Sequence, residues 1–229
     1  MFITFEGPDG CGKTTITKIL NMCFESIGIN SFFFKEPGGN VFADKVREII
    51  LKTPLDITTQ IYTFAALRSS NKETILSNEQ NNIITVADRY IDSSYVYQGL
   101  YFDSMELFDL VKYVNEPIIV EPSLTFIVEC KQENAKKRMS SRLKDIFETK
   151  LNYNKVSESY SILPFLFRKR EYCFINSNFT LEETMAEVLN YLEYFDIKIP
   201  DKLLTEKINE FIQNSNPLNR FIKGGGDNC

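Results

Sequence analysis

Eight residues near the N-terminus constrain this chain more than any others: Gly7-Pro8-Asp9-Gly10-Cys11-Gly12-Lys13-Thr14, followed by Thr15. They fit GxxxxGK[ST] in full. They also lie between a short apolar run, Phe2 to Phe5, and a segment of helical period from Lys13 to about Ile27. That strand–turn–helix setting gives the motif its physical meaning. Glycines let successive backbone N–H groups turn inward around an anion, and the helix N-terminus adds its positive end. Lys13 is then placed for the β- and γ-phosphates of a nucleotide, and the Thr14 hydroxyl for Mg²⁺. Gly7 through Thr15 is the candidate ATP site.

The rest of the chain alternates in the same way. Phe32-Phe33-Phe34 is a second strand, ended by Pro37-Gly38-Gly39. Helical pattern covers about Val41 to Leu51 and, after Pro54, about Thr58 to Glu79. Ile83 to Ala87 is a continuous run rich in β-branched residues, the pattern of a strand buried on both faces. Helical stretches follow at about Asp92 to Tyr97 and Ser104 to Val114. Leu124 to Val128 is a fourth strand, a Lys/Arg-rich helix starts near Gln132, and Tyr172 to Asn176 is a fifth strand. Thr180 with Glu183 makes a capping-box pattern opening a helix to about Tyr194. Strands alternating with helices imply a parallel sheet covered on both faces, an α/β fold. After Asp196 the character changes to Pro200, an amphipathic stretch from Lys202 to Ile212, and a Gly-Gly-Gly-Asp-Asn tail. The expected organisation is one domain over 1–195 and an extension over 196–229, a short helix and then a disordered tail.

Composition narrows the chemistry. There is no histidine, which removes Ser-His-Asp and Cys-His machinery and most catalytic zinc sites. What remains is carboxylates, Lys, Arg, backbone amides and a hard metal ion, the parts that phosphoryl transfer needs. A net charge of −5 argues against a general nucleic-acid binder. The five cysteines are odd in number and widely spaced with no CxxC, so reduced thiols in a cytosol are expected. No run approaches the roughly 20 apolar residues of a membrane span, and no export signal is evident. The expectation is a soluble, cytoplasmic protein.

Three further segments carry a resemblance: Glu36-Pro37-Gly38-Gly39, Phe64-Ala65-Ala66-Leu67-Arg68, and Asp88-Arg89-Tyr90-Ile91-Asp92-Ser93-Ser94-Tyr95-Val96-Tyr97-Gln98-Gly99. With the phosphate loop, and in this order from Met1 to about Tyr194, they resemble the thymidylate kinase family, especially its bacterial branch. The resemblance implies the P-loop fold of nucleoside monophosphate kinases, with a five-stranded parallel sheet flanked by helices and a short mobile lid at about 138–150. It implies ATP as donor, dTMP as acceptor with Glu36 and Pro37 among the residues that bind it, Mg²⁺, a role in dTTP synthesis and a homodimer built helix against helix.

The residues agree with that implication. Phe64 and Arg68 lie one turn apart on one helix face. An aromatic face stacks on a pyrimidine, and a guanidinium donates to the carbonyl at thymine C4; a plain core phenylalanine is the other role open to Phe64. Arg89 and Arg47 are candidates for the acceptor phosphate, where a planar fork suits two oxygens, with a surface position open for Arg47. Ser94 and Gln98, also one turn apart, suit the base edge, and Tyr97 the sugar face where a ribose carries its 2′-hydroxyl. Ordinary helix packing is open for all three. Asp9 is placed for the acceptor's sugar or the metal, or caps its own turn. Asp88, closing a strand beside the phosphate loop, suits a place behind the ligands of Mg²⁺ or on the phosphates, with a solvated strand-end pair as the alternative.

Transition-state charge needs cations, and the phosphate loop holds no arginine. The run Lys136-Lys137-Arg138-Met139-Ser140-Ser141-Arg142-Leu143-Lys144 supplies them, with Arg142 and Arg138 as candidates and a solvated helix face as the alternative. The family's lid commonly reads Asp-Arg-x-Glu, whereas this chain has Asp145-Ile146-Phe147-Glu148. Two other functions stay open: a kinase for another nucleoside or nucleoside monophosphate, and an ATP-binding switch protein.

Overall fold

A computed structural model describes residues 1–140 and 151–215. Five strands form one parallel sheet: β1 (Phe2–Glu6), β2 (Ser31–Lys35), β3 (Ile84–Asp88), β4 (Leu124–Glu129) and β5 (Tyr172–Asn176), in the order β2-β3-β1-β4-β5. The expected sheet is present. Every residue of β1 is buried, as a central parallel strand covered on both faces requires. The chain runs from β1 out to β2 and returns through β3, then crosses β1 to reach β4. The strand order reverses about β1, and ligands of open α/β sheets bind in the crevice beyond the strand ends at such a point. Here the C-terminal residues of the five strands are Glu6, Lys35, Asp88, Glu129 and Asn176. A parallel register sets Lys35 directly beside Asp88.

The helices are α1 (Lys13–Ser26), α2 (Val41–Ile50), α3 (Ile57–Ser69), α4 (Lys72–Gln80), α5 (Ile91–Ser94), α6 (Met105–Asn115), α7 (Gln132–Met139), α8 (Tyr153–Leu166), α9 (Leu181–Glu193) and α10 (Asp201–Ser215). One core layer packs α1, α9 and α10 on the sheet through Ile16, Leu20, Val188, Leu192, Leu204 and Ile208. The other packs α3, α6 and α8 through Ile61, Val111, Tyr160 and Leu163. Thr180 and Glu183 form the expected capping box at α9.

Four local expectations are corrected. The single helix expected over 58–79 breaks into α3 and α4 at Asn71, a buried residue whose side-chain amide donates to Gly38 O at 2.8 Å and accepts from Asn40 Nδ2 at 2.7 Å. That tertiary tie outweighs helical propensity. The helix expected from Asp92 to Tyr97 is α5 followed by a π-helical turn, Tyr95–Gly99, and a 3₁₀ turn, Leu100–Phe102. Helix α8 was not anticipated; Val156, Tyr160 and Leu163 have helical spacing behind an Asn152 cap, but Pro164 inside the segment obscures it. Helix α10 outruns its expected bounds at both ends, and its Leu204 and Ile208 belong to the core. The expected disordered tail and most of the expected lid lie outside the described residues.

Candidate active site

The phosphate loop closes around its own backbone. Gly7, Gly10 and Gly12 have φ of 138°, 80° and 108°, conformations that L side chains adopt at a cost. At Gly10 a Cβ would also stand 2.8 Å from the Ala135 carbonyl oxygen of α7. Gly10→Ala is therefore expected to cost about 1–3 kcal/mol of stability and to weaken ATP binding beyond that loss, read by thermal melts with and without nucleotide.

Lys13 is buried, and its ammonium donates to Gly7 O at 2.8 Å and Pro8 O at 2.9 Å. Behind the loop, Cys11 is fully buried and its carbonyl accepts from Ser177 Oγ at 2.6 Å and Arg138 Nη1 at 3.1 Å. Arg138 thus clamps α7 onto the loop. A cavity of about 190 Å³ opens over the loop, lined by Asp9, Gly10, Gly12, Lys13, Thr14 and Thr15, with Lys35, Arg89, Arg138 and Met139. Gly7, Pro8 and Cys11 shape the loop from behind.

Beside the loop, the Thr14 hydroxyl donates to the Asp88 carboxylate. Lys35 Nζ is 3.2 Å from Asp88 Oδ2 and 3.0 Å from Thr14 Oγ1. Burial pushes the Asp88 carboxyl up, but Lys35, Lys13, the Thr14 hydroxyl and Arg89 outweigh it and hold the group below the usual carboxylate range. Burial pushes the Lys35 ammonium down, offset in part by Asp88. The other Asp88 oxygen, Oδ1, is buried with no hydrogen-bond partner among the described residues.

A second cavity, about 550 Å³, lies on the far side of Asp9. Every residue assigned from sequence to the acceptor lines it: Asp9, Glu36, Pro37, Arg47, Phe64, Arg68, Arg89, Ser94, Tyr97 and Gln98. Ser94, Tyr97 and Gln98, at positions i, i+3 and i+4, all face it. Arg47 Nη1 donates to Pro37 O at 2.6 Å, which ties α2 to the Glu36–Pro37 turn. Gln98 Nε2 donates to Gln60 Oε1 at 3.3 Å.

Arg68 is more committed to the protein than expected. It is 2% exposed. Its Nη2 meets Glu36 Oε2 at 2.7 Å and Ser94 Oγ at 3.1 Å, its Nε meets Glu36 Oε2 at 3.1 Å, and its Nη1 meets Asn115 Oδ1 at 2.6 Å. Burial raises the Glu36 carboxyl in spite of Arg68, and Glu36 Oε1 has no hydrogen-bond partner among the described residues.

Arg89 stands at the junction of the two cavities. Its φ of 75° is the left-handed region, rare for a non-glycine residue. Its Nη2 pairs with Asp9 Oδ1, and its Nη1 donates to Gly7 O at 3.2 Å, Ser93 Oγ at 3.0 Å and Tyr160 Oη at 3.3 Å. Tyr97 Oη donates to Asp9 Oδ2 at 3.1 Å, and the guanidinium lies 5.3 Å from the Tyr97 ring centroid. Asp9, Lys35 and Arg89 line both cavities. Arg142 lies outside the described residues.

Sequence reasoning missed Lys35, Glu6, Ser93 and Tyr160. The first has a legible signal: two adjacent parallel strands ending in Lys35 and Asp88 bring opposite charges together. Tyr160 has none, because only the packing of α8 brings it to the site.

Comparison with known proteins agrees with this geometry. The family model described as thymidylate kinase matches residues 5–188. A thymidylate kinase of a Thermoanaerobacter species is 34% identical over 201 residues, 85% of this chain and 98% of that protein. One from Caldanaerobacter subterraneus is 36% identical over 195 residues, 82% of this chain and 89% of that protein. One from Mycoplasma pneumoniae is 35% identical over 150 residues, 63% of this chain and 70% of that protein. With these matches over most of its length, the chain belongs to the thymidylate kinase family.

Proposed function

We propose that this chain transfers the γ-phosphate of ATP to dTMP, giving ADP and dTDP. The observation that carries the reading is the meeting of two cavities at Asp9, Lys35 and Arg89, one floored by the phosphate loop and the other lined by apolar and amide side chains. Direct transfer needs donor and acceptor held in line at one junction that excludes water.

In this reading the loop amides from Gly10 to Thr15 and the Lys13 ammonium hold the ATP phosphates. The thymine ring stacks on Phe64, with its polar edge toward Arg68, Ser94 and Gln98, and the deoxyribose sits against Tyr97 and Asp9. Arg89 takes the acceptor phosphate through its Nη2 edge, with Arg47 contributing from the mouth. Lys35 adds a fixed positive charge at the junction, and Arg138, with Arg142 beyond the described residues, supplies cations from the lid side. Positive groups on both sides of the transferred phosphoryl stabilise its charge more in the transition state than in the ground state.

Thr14 and Asp88 suit Mg²⁺. They offer a hydroxyl and a carboxylate, hard oxygen donors, and the buried Asp88 Oδ1 has no protein partner among the described residues. No cluster of three acidic, Cys or His side chains that could hold a metal is present among the described residues. The ion would therefore be held chiefly by the nucleotide, with Thr14 as ligand and Asp88 orienting its waters. Bound there it neutralises charge on the phosphates.

No helix among the described residues is long and apolar enough to cross a membrane, and the described cysteines are free thiols. Both fit a cytoplasmic enzyme. Exposed Val41, Phe42 and Ile49 on α2, Tyr62 on α3 and Met105 and Tyr113 on α6 support a homodimer formed through these helices. Nucleic acid is not a partner in this reading.

The test is ADP release with ATP and Mg²⁺ against dTMP, dUMP, AMP, CMP and thymidine. Fastest turnover on dTMP is expected. Faster turnover on thymidine or AMP would overturn the acceptor assignment, and acceptor-independent hydrolysis would favour a switch protein.

A further inference from the structure

Glu6, the last residue of β1, is fully buried and belongs to neither cavity lining. A carboxylate at that depth is expensive unless its oxygens are satisfied. Here Oε1 accepts from the backbone N–H of Tyr90 at 2.7 Å and of Ser93 at 3.2 Å. Oε2 accepts from Ser93 Oγ at 2.7 Å and Tyr160 Oη at 3.2 Å. These two hydroxyls are the ones that receive Arg89 Nη1.

Each hydroxyl has a single proton. When both protons point at the Glu6 carboxylate, both oxygens present lone pairs to Arg89. Ser93 Oγ and Tyr160 Oη also lie 3.0 Å apart. When Glu6 carries a proton, its O–H donates into the pair and the displaced hydroxyl proton turns to the other hydroxyl, taking a lone pair that otherwise faces Arg89. We infer that Glu6 is a positioning residue for dTMP: as a carboxylate it orients the Ser93 and Tyr160 hydroxyls so that Arg89 is locked with its Nη2 edge toward the acceptor phosphate. The inference rests on the reading of Arg89 as the ligand of that phosphate.

The charged and titratable groups facing Glu6 are Arg89 after β3, Asp92 on α5, Tyr160 on α8 and Tyr172 on β5; Asp92 is itself paired with Arg170 at 2.7 Å. Burial, with Asp92 adding to it, pushes the Glu6 carboxyl up to about 7 against the pull of Arg89. Burial also pushes the Tyr160 phenol well above its ordinary range, so that hydroxyl keeps its proton. The locked state is therefore favoured above about pH 7 and lost as pH falls through that value.

Calorimetric titration of dTMP without ATP, from pH 6 to 9, reads this directly. The Kd of Glu6→Gln, whose amide mimics the protonated carboxyl, is expected to exceed that of the wild type about tenfold at pH 8.5. The ratio should fall toward one at pH 6. Ionisation of the dTMP phosphate, near pH 6, is common to both proteins and cancels in the ratio. A ratio that stays flat with pH, whether at one or at ten, overturns the inference, because a merely structural role gives a constant penalty. Arg89→Met separates the two ideas: an unchanged dTMP Kd means that the reading of Arg89 has failed, whereas a large loss beside a flat Glu6→Gln ratio means that Glu6 does not act through it. If Glu6→Gln gives no cooperative melt, Tyr160→Phe carries the test. A dTMP Kd about threefold higher at pH 8.5 is expected, shrinking toward pH 6, and no change at either pH overturns the proposal.

Discussion

Replacing Lys13 with alanine is expected to lower kcat about a thousandfold while changing the KM for dTMP by less than about threefold. The ammonium is buried and donates to Gly7 O and Pro8 O, so its charge is already within the loop. What changes during transfer is the charge on the β- and γ-phosphate oxygens, and a cation that strengthens its contacts only then acts on kcat. Methionine at the same position keeps most of the stem and should lose as much rate, which separates charge from packing. Steady-state rates and dTMP binding of the two variants check this; near wild-type turnover in either would sink the role of the loop.

The second large effect falls on stability. Arg68→Ala leaves Glu36 and Asn115 buried without their partner, and breaking a buried pair costs about 3–5 kcal/mol. For a chain of this size that corresponds to a fall in Tm of roughly 10 °C. The loss should depend on pH in a definite sense. The Glu36 carboxyl is already raised by burial with Arg68 present, and it rises further without it. A carboxyl with a raised folded pKa contributes stability that is present at low pH and lost as pH rises through that pKa. The gap in Tm between wild type and variant should therefore widen from pH 5.5 to pH 8. A gap independent of pH would mean that Glu36 is not left as an unpaired charge. The variant should also lose dTMP affinity well beyond ATP affinity, because Arg68 and Ser94 share one hydrogen bond at the acceptor cavity.

The sequence was legible where chemistry and local geometry coincide. The phosphate loop reads directly, because glycines, lysine and threonine each have a backbone or charge reason to stand at fixed spacing. The sheet reads nearly as well, since strands such as Ile84–Asp88 carry β-branched residues without helical period. Residues lining the second cavity were picked out from motifs, not from periodicity: nothing in helical spacing alone tells the lining Phe64 from a core phenylalanine. Tertiary ties were illegible. Asn71 breaks a helix because of Gly38 and Asn40, which lie more than thirty residues away. Tyr160 reaches Arg89 only because α8 packs against β4 and the π-helical turn. The commitment of Arg68 to Glu36 was likewise hidden, since an exposed base-reading arginine and a buried paired one have the same letter and the same spacing.

Helix α10 bears on where this protein ends as a physical object. Leu204 and Ile208 lie in the same buried layer as Ile16, Leu20 and Cys23 of α1, the helix whose first turn carries Lys13 and Thr14. The match to the family model closes at residue 188, thirteen positions before α10 begins at Asp201. A fragment trimmed to that match would bare the back of α1 to water and loosen the support of the phosphate loop from behind. The matched family domain and the packed core thus close at different points, the second including a further helix.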